Sequence, residues 1–217
     1  MSTSLSKTTF EFSLADDMEL TQTVTPSLAE DIFNFFKNAT LFRWKDANND
    51  CEDRANAITL ILDKWGVPNC KGWVFSGAFL RKDYGTLDNL WNYHVAAVLP
   101  VNVKGKTDYL VIDPATSKKL ITVEEWASNI TFQPNSYYFI RHGHYYIFPS
   151  AMATKNLWFK RNKRNHRWTM QGLSGINAVS QKGKTQLAFF KKKPLITKKA
   201  FYSLMYSNPG FLHATKA

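Results

Sequence analysis

The chain has 217 residues, 44% of them hydrophobic and 15% aromatic, enough for one ordinary domain with its own core. Its formal net charge is +11, and two cysteines are too few for a disulfide scaffold. The longest apolar runs, such as 95–101, fall far short of the roughly 20 residues of a membrane helix, and no charged-then-apolar N-terminal segment resembles a secretion signal.

In chain order, residues 1–9 are polar and read as a loose terminus, and Phe10, Phe12 and Leu14 alternate with polar residues as a strand does. Thr25-Pro26-Ser27 opens a helix through Leu28, Ile32, Phe35 and Phe36 that ends near Asn38. Residues 40–50 carry Trp44, which either lines a cleft or packs behind it. Ala55, Ile58, Leu62 and Trp65 then follow Cys51 at the steps of one helical face, with Asn49 or Asp50 as N-cap and Gly66 with Pro68 as the stop. Glu52 and Asp53 place negative charge in the first turn, where it is favoured. Cys51 lies on the same stripe, at the positive end of the helix dipole. There the unpaired backbone N–H groups favour thiolate and can stabilise an oxyanion. Taken alone, it reads equally well as a small buried hydrophobe.

Cys70 lies beyond the helix stop. A fifteen-residue helix is about 22 Å long, so both thiols read as free. Residues 71–80 read as a strand and 81–89 as a loop at the rim of a cleft. Residues 90–99 form a strand apolar on both faces, with His94 its conspicuous titratable group. A turn at 103–108 leads to a short strand, 109–112, ending at Asp113-Pro114. Antiparallel pairing about that turn brings Asp113 to the level of His94. Nucleophile, base and orienting carboxylate then occur in one chain order, the parts of a Cys-His-Asp triad.

Cys-x-x-Arg-Ala at 51–55, Trp-x-Tyr-His-Val-Ala at 91–96 and Val-Ile-Asp-Pro at 111–114 resemble the three motif blocks of bacterial protein-glutaminases, over about residues 46–116. The resemblance implies an α+β fold, with an antiparallel sheet packed against helices and a core similar to papain and transglutaminase. It implies Cys51 as nucleophile, His94 as general base and acid, and Asp113 as the orienting carboxylate. Trp44, Asp50, Trp91, Asn92 and Tyr93 become substrate-binding candidates. The activity implied is deamidation of a glutamine side chain in a protein substrate. The same triad also serves peptide cleavage and transglutamination. The family's secreted members carry a signal and a pro-segment that this sequence lacks, and residues 150–217 have no counterpart in it.

Thr122 to Glu125 is a capping box opening a short helix through Trp126. Residues 136–148 suggest a strand pair turning at His142-Gly143-His144. With no further Cys, His, Asp or Glu cluster nearby, that pair of histidines reads as a turn rather than half a metal site, and no cofactor is implied. Residues 170–185 read as loop, 186–190 as a strand, and Thr197 caps a last helix through Phe201, Leu204 and Met205.

Charge divides sharply. All seventeen acidic residues lie at or before Glu125, with thirteen Lys and Arg; the remainder holds fifteen bases and no acid. Residues 1–217 read as a single domain: a catalytic core at 10–150 and a basic C-terminal portion at 151–217 packed on it. The basic portion, densest from Lys155 to Trp168, reads equally as a solvated basic face whose aromatics belong to the core or as a dock for an acidic protein or anionic membrane surface, and less readily as a nucleic-acid site. A basic binding module with a structural Cys51 is the non-enzymatic alternative. The polar N-terminus is similar in composition to export signals of injected bacterial effectors. A toxin or effector acting in another cell follows as an expectation, with an immunity or chaperone protein as partner; without export the protein is cytoplasmic.

Overall fold

The computed structural model describes residues 22–44, 51–79, 90–130, 137–143, 145, 166, 169–174 and 197–212, and leaves out the side chains of 75–79, 90–92 and 137. Four antiparallel strands form one sheet in the order β3-β2-β1-β4: β1 is Cys70–Phe79, β2 Leu90–Val103, β3 Lys106–Ile112 and β4 Tyr137–His142. Helices α1, Pro26–Asn38, and α2, Cys51–Trp65, cover one face, and α3, Val123–Ile130, covers the other. The alternation along β2 explains both layers. Ala97, Leu99 and Val101 pack with α1 and α2, while Ala96 and Val98 pack with Val123, Trp126 and Ala127 of α3. The α+β class expected from the resemblance is the class observed.

The β2–β3 hairpin is tighter than the sequence suggests, and both strands are longer. Lys104 and Gly105 have φ of 52° and 82°, so a two-residue turn with two left-handed positions joins Val103 to Lys106. The Gly105 N–H donates to Asn102 Oδ1 at 2.9 Å. Ala97 stands opposite Ile112 in this register, and one further step sets Asp113 opposite Ala96, on the same face as His94.

Thr25 caps α1 by accepting from the Leu28 N–H at 3.2 Å, and Pro26 occupies the first turn, where its missing donor costs nothing. Ile32, Phe33 and Phe36 are fully buried, each contributing about 2 kcal/mol of apolar burial. Helix α2 is more enclosed than a single apolar stripe predicts: Cys51 and every residue from Asp53 to Leu62 are buried. The reason lies in the last third of the chain. Residues 169–174 are helical rather than loop, with Leu173 at 0% exposure, and Phe201 and Met205 of the helical residues 197–205 join the α1–α2 core. Tertiary packing here overrides the weak helix propensity of Gly172 and Ser174.

Thr122 caps α3 as the capping box predicts, accepting from the Glu125 N–H at 3.1 Å. Gly72 of β1 lets that helix approach closely, since a Cβ there would sit 3.2 Å from Val98 Cγ2 and 3.6 Å from Trp126 Cζ3. Strand β4 pairs with β1, Cys70 opposite His142, and the second arm of the hairpin read at 136–148 lies largely outside the described residues. So do the strands read at 10–14 and 186–190, the loop 81–89 and most of the basic stretch 155–168. Among the described residues no helix is long and apolar enough to cross a membrane.

Because nothing lies within 4 Å of a Cβ built on Gly105, substitution there acts through φ alone. Gly105→Val is expected to cost about 1–2 kcal/mol, read as a lower urea midpoint at unchanged m. An unchanged midpoint would mean that this turn does not constrain the hairpin.

Candidate active site

Cys51 begins α2 and is 7% exposed, His94 lies on β2 at 3%, and Asp113 follows β3 at 4%. All three line one cavity of ≈ 10 Å³, room for about one water molecule, together with Trp44, Arg54 and Ala115. His94 Nε2 lies 2.8 Å from Asp113 Oδ2. The diagonal neighbours of the hairpin thus meet through their side chains, and Nδ1 is the ring nitrogen not engaged by Asp113.

The carboxylate is itself held. Thr116 Oγ1 donates to Asp113 Oδ2 at 2.5 Å, and Trp126 Nε1 lies 3.2 Å from the same oxygen and 2.9 Å from Thr116 Oγ1. The Trp126 ring also packs against His94, centroids 5.4 Å apart. Burial alone would raise the Asp113 carboxyl. The charge and hydrogen bond of His94, with the donors on Thr116 and Trp126, outweigh it and hold the group below the usual carboxylate range.

The thiol departs from the expectation drawn from its place at a helix start. Burial pushes Cys51 well above the ordinary thiol value, the Glu52 charge adds to this, and a hydrogen bond from the Val95 backbone pulls against both. Sγ donates to Glu52 Oε2 at 3.3 Å, and Glu52 also accepts from the Tyr93 hydroxyl. The sheet covers this end of α2, and the Glu52 side chain turns back onto the sulfur, so burial and a neighbouring charge outweigh the helix dipole. Cys70 is buried at 0% exposure on the opposite face of the sheet, and both cysteines are free.

Of the substrate-contacting candidates, Trp44 lines the cavity, stacks on Phe42 at 5.2 Å and donates from Nε1 to Phe36 O at 2.9 Å. Tyr93 is partly buried at the edge of the site, 5.9 Å from the Trp73 ring. Trp91 and Asn92 lie on β2 with side chains outside those described, and Asp50, the N-cap candidate, lies outside the described residues.

Sequence reasoning passed over three positioning groups. Arg54, 4% exposed, donates from Nε to Phe42 O at 2.9 Å and reaches Arg43 O at 3.4 Å, tying the segment that carries Trp44 to α2. Lys71, 0% exposed, donates to Asn56 Oδ1 at 2.9 Å and to the Tyr145 carbonyl; Asn56 donates in turn to Thr169 Oγ1 at 2.7 Å. The arginine of Cys-x-x-Arg-Ala is the only one of these that a sequence signal could have marked.

A buried thiol at a helix start, sharing a cavity with an imidazole that a carboxylate orients, is the constellation of a thiol-dependent hydrolase, set here on an antiparallel sheet. Residues 29–130 match the family model described as glutaminase. The fold is similar to a crystal structure of protein-glutaminase, with TM-score 0.57 and 19% identity over 73% of this chain and 88% of that one. It is similar also to the NMR structure of protein-glutaminase from Chryseobacterium proteolyticum, TM-score 0.56 and 17% identity over 76% and 96%. A crystal structure of pro-protein-glutaminase aligns with TM-score 0.58 and 19% identity, covering 79% of this chain and 64% of that one. No curated protein matches the chain.

The Asp113 shift carries a sign. Its carboxyl lies below its unfolded value of about 3.9, so the stability it contributes is complete above that value and is lost as pH falls through the lower native one. Asp113→Asn is therefore expected to unfold at lower urea than wild type at pH ~7, with the gap closing below pH ~4. Urea midpoints across that range check it; a gap independent of pH would mean that the charge contributes nothing.

Proposed function

We infer that the chain is a protein-glutamine deamidase, converting a glutamine side chain of a protein to glutamate and ammonia through a thioester on Cys51. The observation that carries this reading is the buried His94–Asp113 bond beside a thiol at the start of α2, within the family-matched segment. Asp113 fixes the imidazole with Nε2 toward itself and leaves Nδ1 to exchange protons with the substrate side.

Burial keeps the Cys51 thiol protonated, so His94 takes its proton at the moment of attack rather than resting beside a standing thiolate. The sulfur bonds to the amide carbon, and the oxygen that becomes negative is stabilised by backbone N–H groups at the positive end of α2. His94 returns the proton to nitrogen, the C–N bond breaks and ammonia leaves. Water, deprotonated by His94, then attacks the thioester; the C–S bond breaks, giving glutamic acid, which ionises, and regenerating the thiol. The cavity shared by Cys51, His94 and Asp113 has room for about one water molecule, the co-substrate of the thioester hydrolysis.

The substrate side is a protein with an accessible glutamine. The basic portion at 151–217, in a chain whose acids all precede it, supports docking on an acidic protein or anionic surface. A role as a bacterial effector or toxin, restrained by an immunity or chaperone protein, fits a catalyst that alters other proteins covalently.

Ammonia release from an unfolded glutamine-rich protein, with intact mass read on the same samples, tests the mechanism. Wild type is expected to add about one dalton per site, Cys51→Ala nothing, and Asp113→Asn a rate lower by about 10²–10⁴-fold. Undiminished release from Cys51→Ala would overturn the reading. Cleavage would instead shorten the chain, and transglutamination would add the mass of an amine.

A further inference from the structure

Glu52 stands beside the nucleophile for a reason that helix formation does not supply. A first-turn acid complements the helix dipole wherever its carboxylate points, and Asp53 already provides one. Yet the Glu52 carboxylate turns back along the helix to lie 3.3 Å from Cys51 Sγ, and the Tyr93 hydroxyl on β2 donates to it. Two elements thus hold it at the point of attack. Its charge there opposes formation of the thiolate, a cost that the reaction bears unless the carboxylate has work of its own.

We propose that Glu52, braced by Tyr93, is the group that tells a carboxamide from a carboxylate at this site. The proposal rests on the deamidase reading. In a near-attack geometry the amide carbon lies about 3–3.5 Å from sulfur, which brings its nitrogen within reach of an oxygen held at 3.3 Å from that same sulfur. An ionised carboxylate only accepts hydrogen bonds. The carboxamide offers two N–H donors and an ionised product offers none, so Glu52 binds the substrate's nitrogen and repels the product's new charge. Its pull on nitrogen strengthens as His94 delivers the proton and the leaving group becomes cationic, which places part of the interaction in the transition state. Ammonia leaves with the C–N electron pair, and Glu52 forms no covalent bond.

The test compares the full-length wild type with Glu52→Gln on a blocked peptide carrying one glutamine, and uses the corresponding glutamate peptide as inhibitor. The residue is partly exposed and the substitution isosteric, so the helix is retained; a urea midpoint within error of wild type checks this. The expected result is a fall of about 10–100-fold in kcat/KM, the weight of one charge-assisted hydrogen bond. The glutamate peptide should at the same time inhibit the variant at lower concentration than it inhibits wild type. Glu52→Asp, which keeps the charge, should keep the weak product inhibition. Ammonia from wild type with kcat/KM and product inhibition both unchanged in Glu52→Gln would overturn the role of Glu52 alone. No ammonia from wild type on either the peptide or an unfolded glutamine-rich protein would overturn the deamidase reading with it.

Discussion

A carboxylate taken out of water must find a charge or several donors, or it will not stay ionised, and the placement of Asp113 answers that demand. His94, Thr116 and Trp126 all converge on Oδ2, and each is delivered by a different piece of the chain. The hairpin register supplies the imidazole, the turn after β3 the hydroxyl, and α3 the indole. Gly72 beneath Trp126 completes the set by letting α3 lie close to the sheet. Removing any one donor leaves the others with a charge they no longer fully satisfy, which is why the imidazole's orientation depends on groups that never meet a substrate.

The helix that carries Cys51 depends on a second, separate set of polar ties. Arg54 fastens the turn before α2 to the helix, and Asn56 joins it to Lys71 of β1 and to Thr169. These are specific where apolar packing is not: a helix sliding along the sheet keeps its burial but loses its hydrogen bonds. The cysteine and the imidazole come from opposite faces of the sheet, Cys51 packing with Val95 and Phe139 and His94 with Trp126, and share a cavity at the end of β3.

Cys51, His94 and Asp113 were legible because each combines an unusual residue type with a periodic context, helix stripe or strand, that fixes where it must lie. The hairpin was legible from Gly105, though its register became visible only with both turn dihedrals. Lys71 and Arg54 were not legible, since residue type argues for exposure and only the surrounding carbonyls explain burial. The helical residues 169–174 were hidden for a similar reason: their sequence reads as loop, and Leu173 is ordered by the core it joins with α1 and α2. The turning back of Glu52 toward sulfur depends on Tyr93, far away in sequence, which no local pattern carries.

The bond between Asn56 and Thr169 spans 113 positions of the chain. A growing polypeptide that has released Cys51, His94 and Asp113 still lacks Thr169, to which Asn56 of α2 donates. Closure of α2 against the rest of the core thereby waits for a segment far downstream of Asp113.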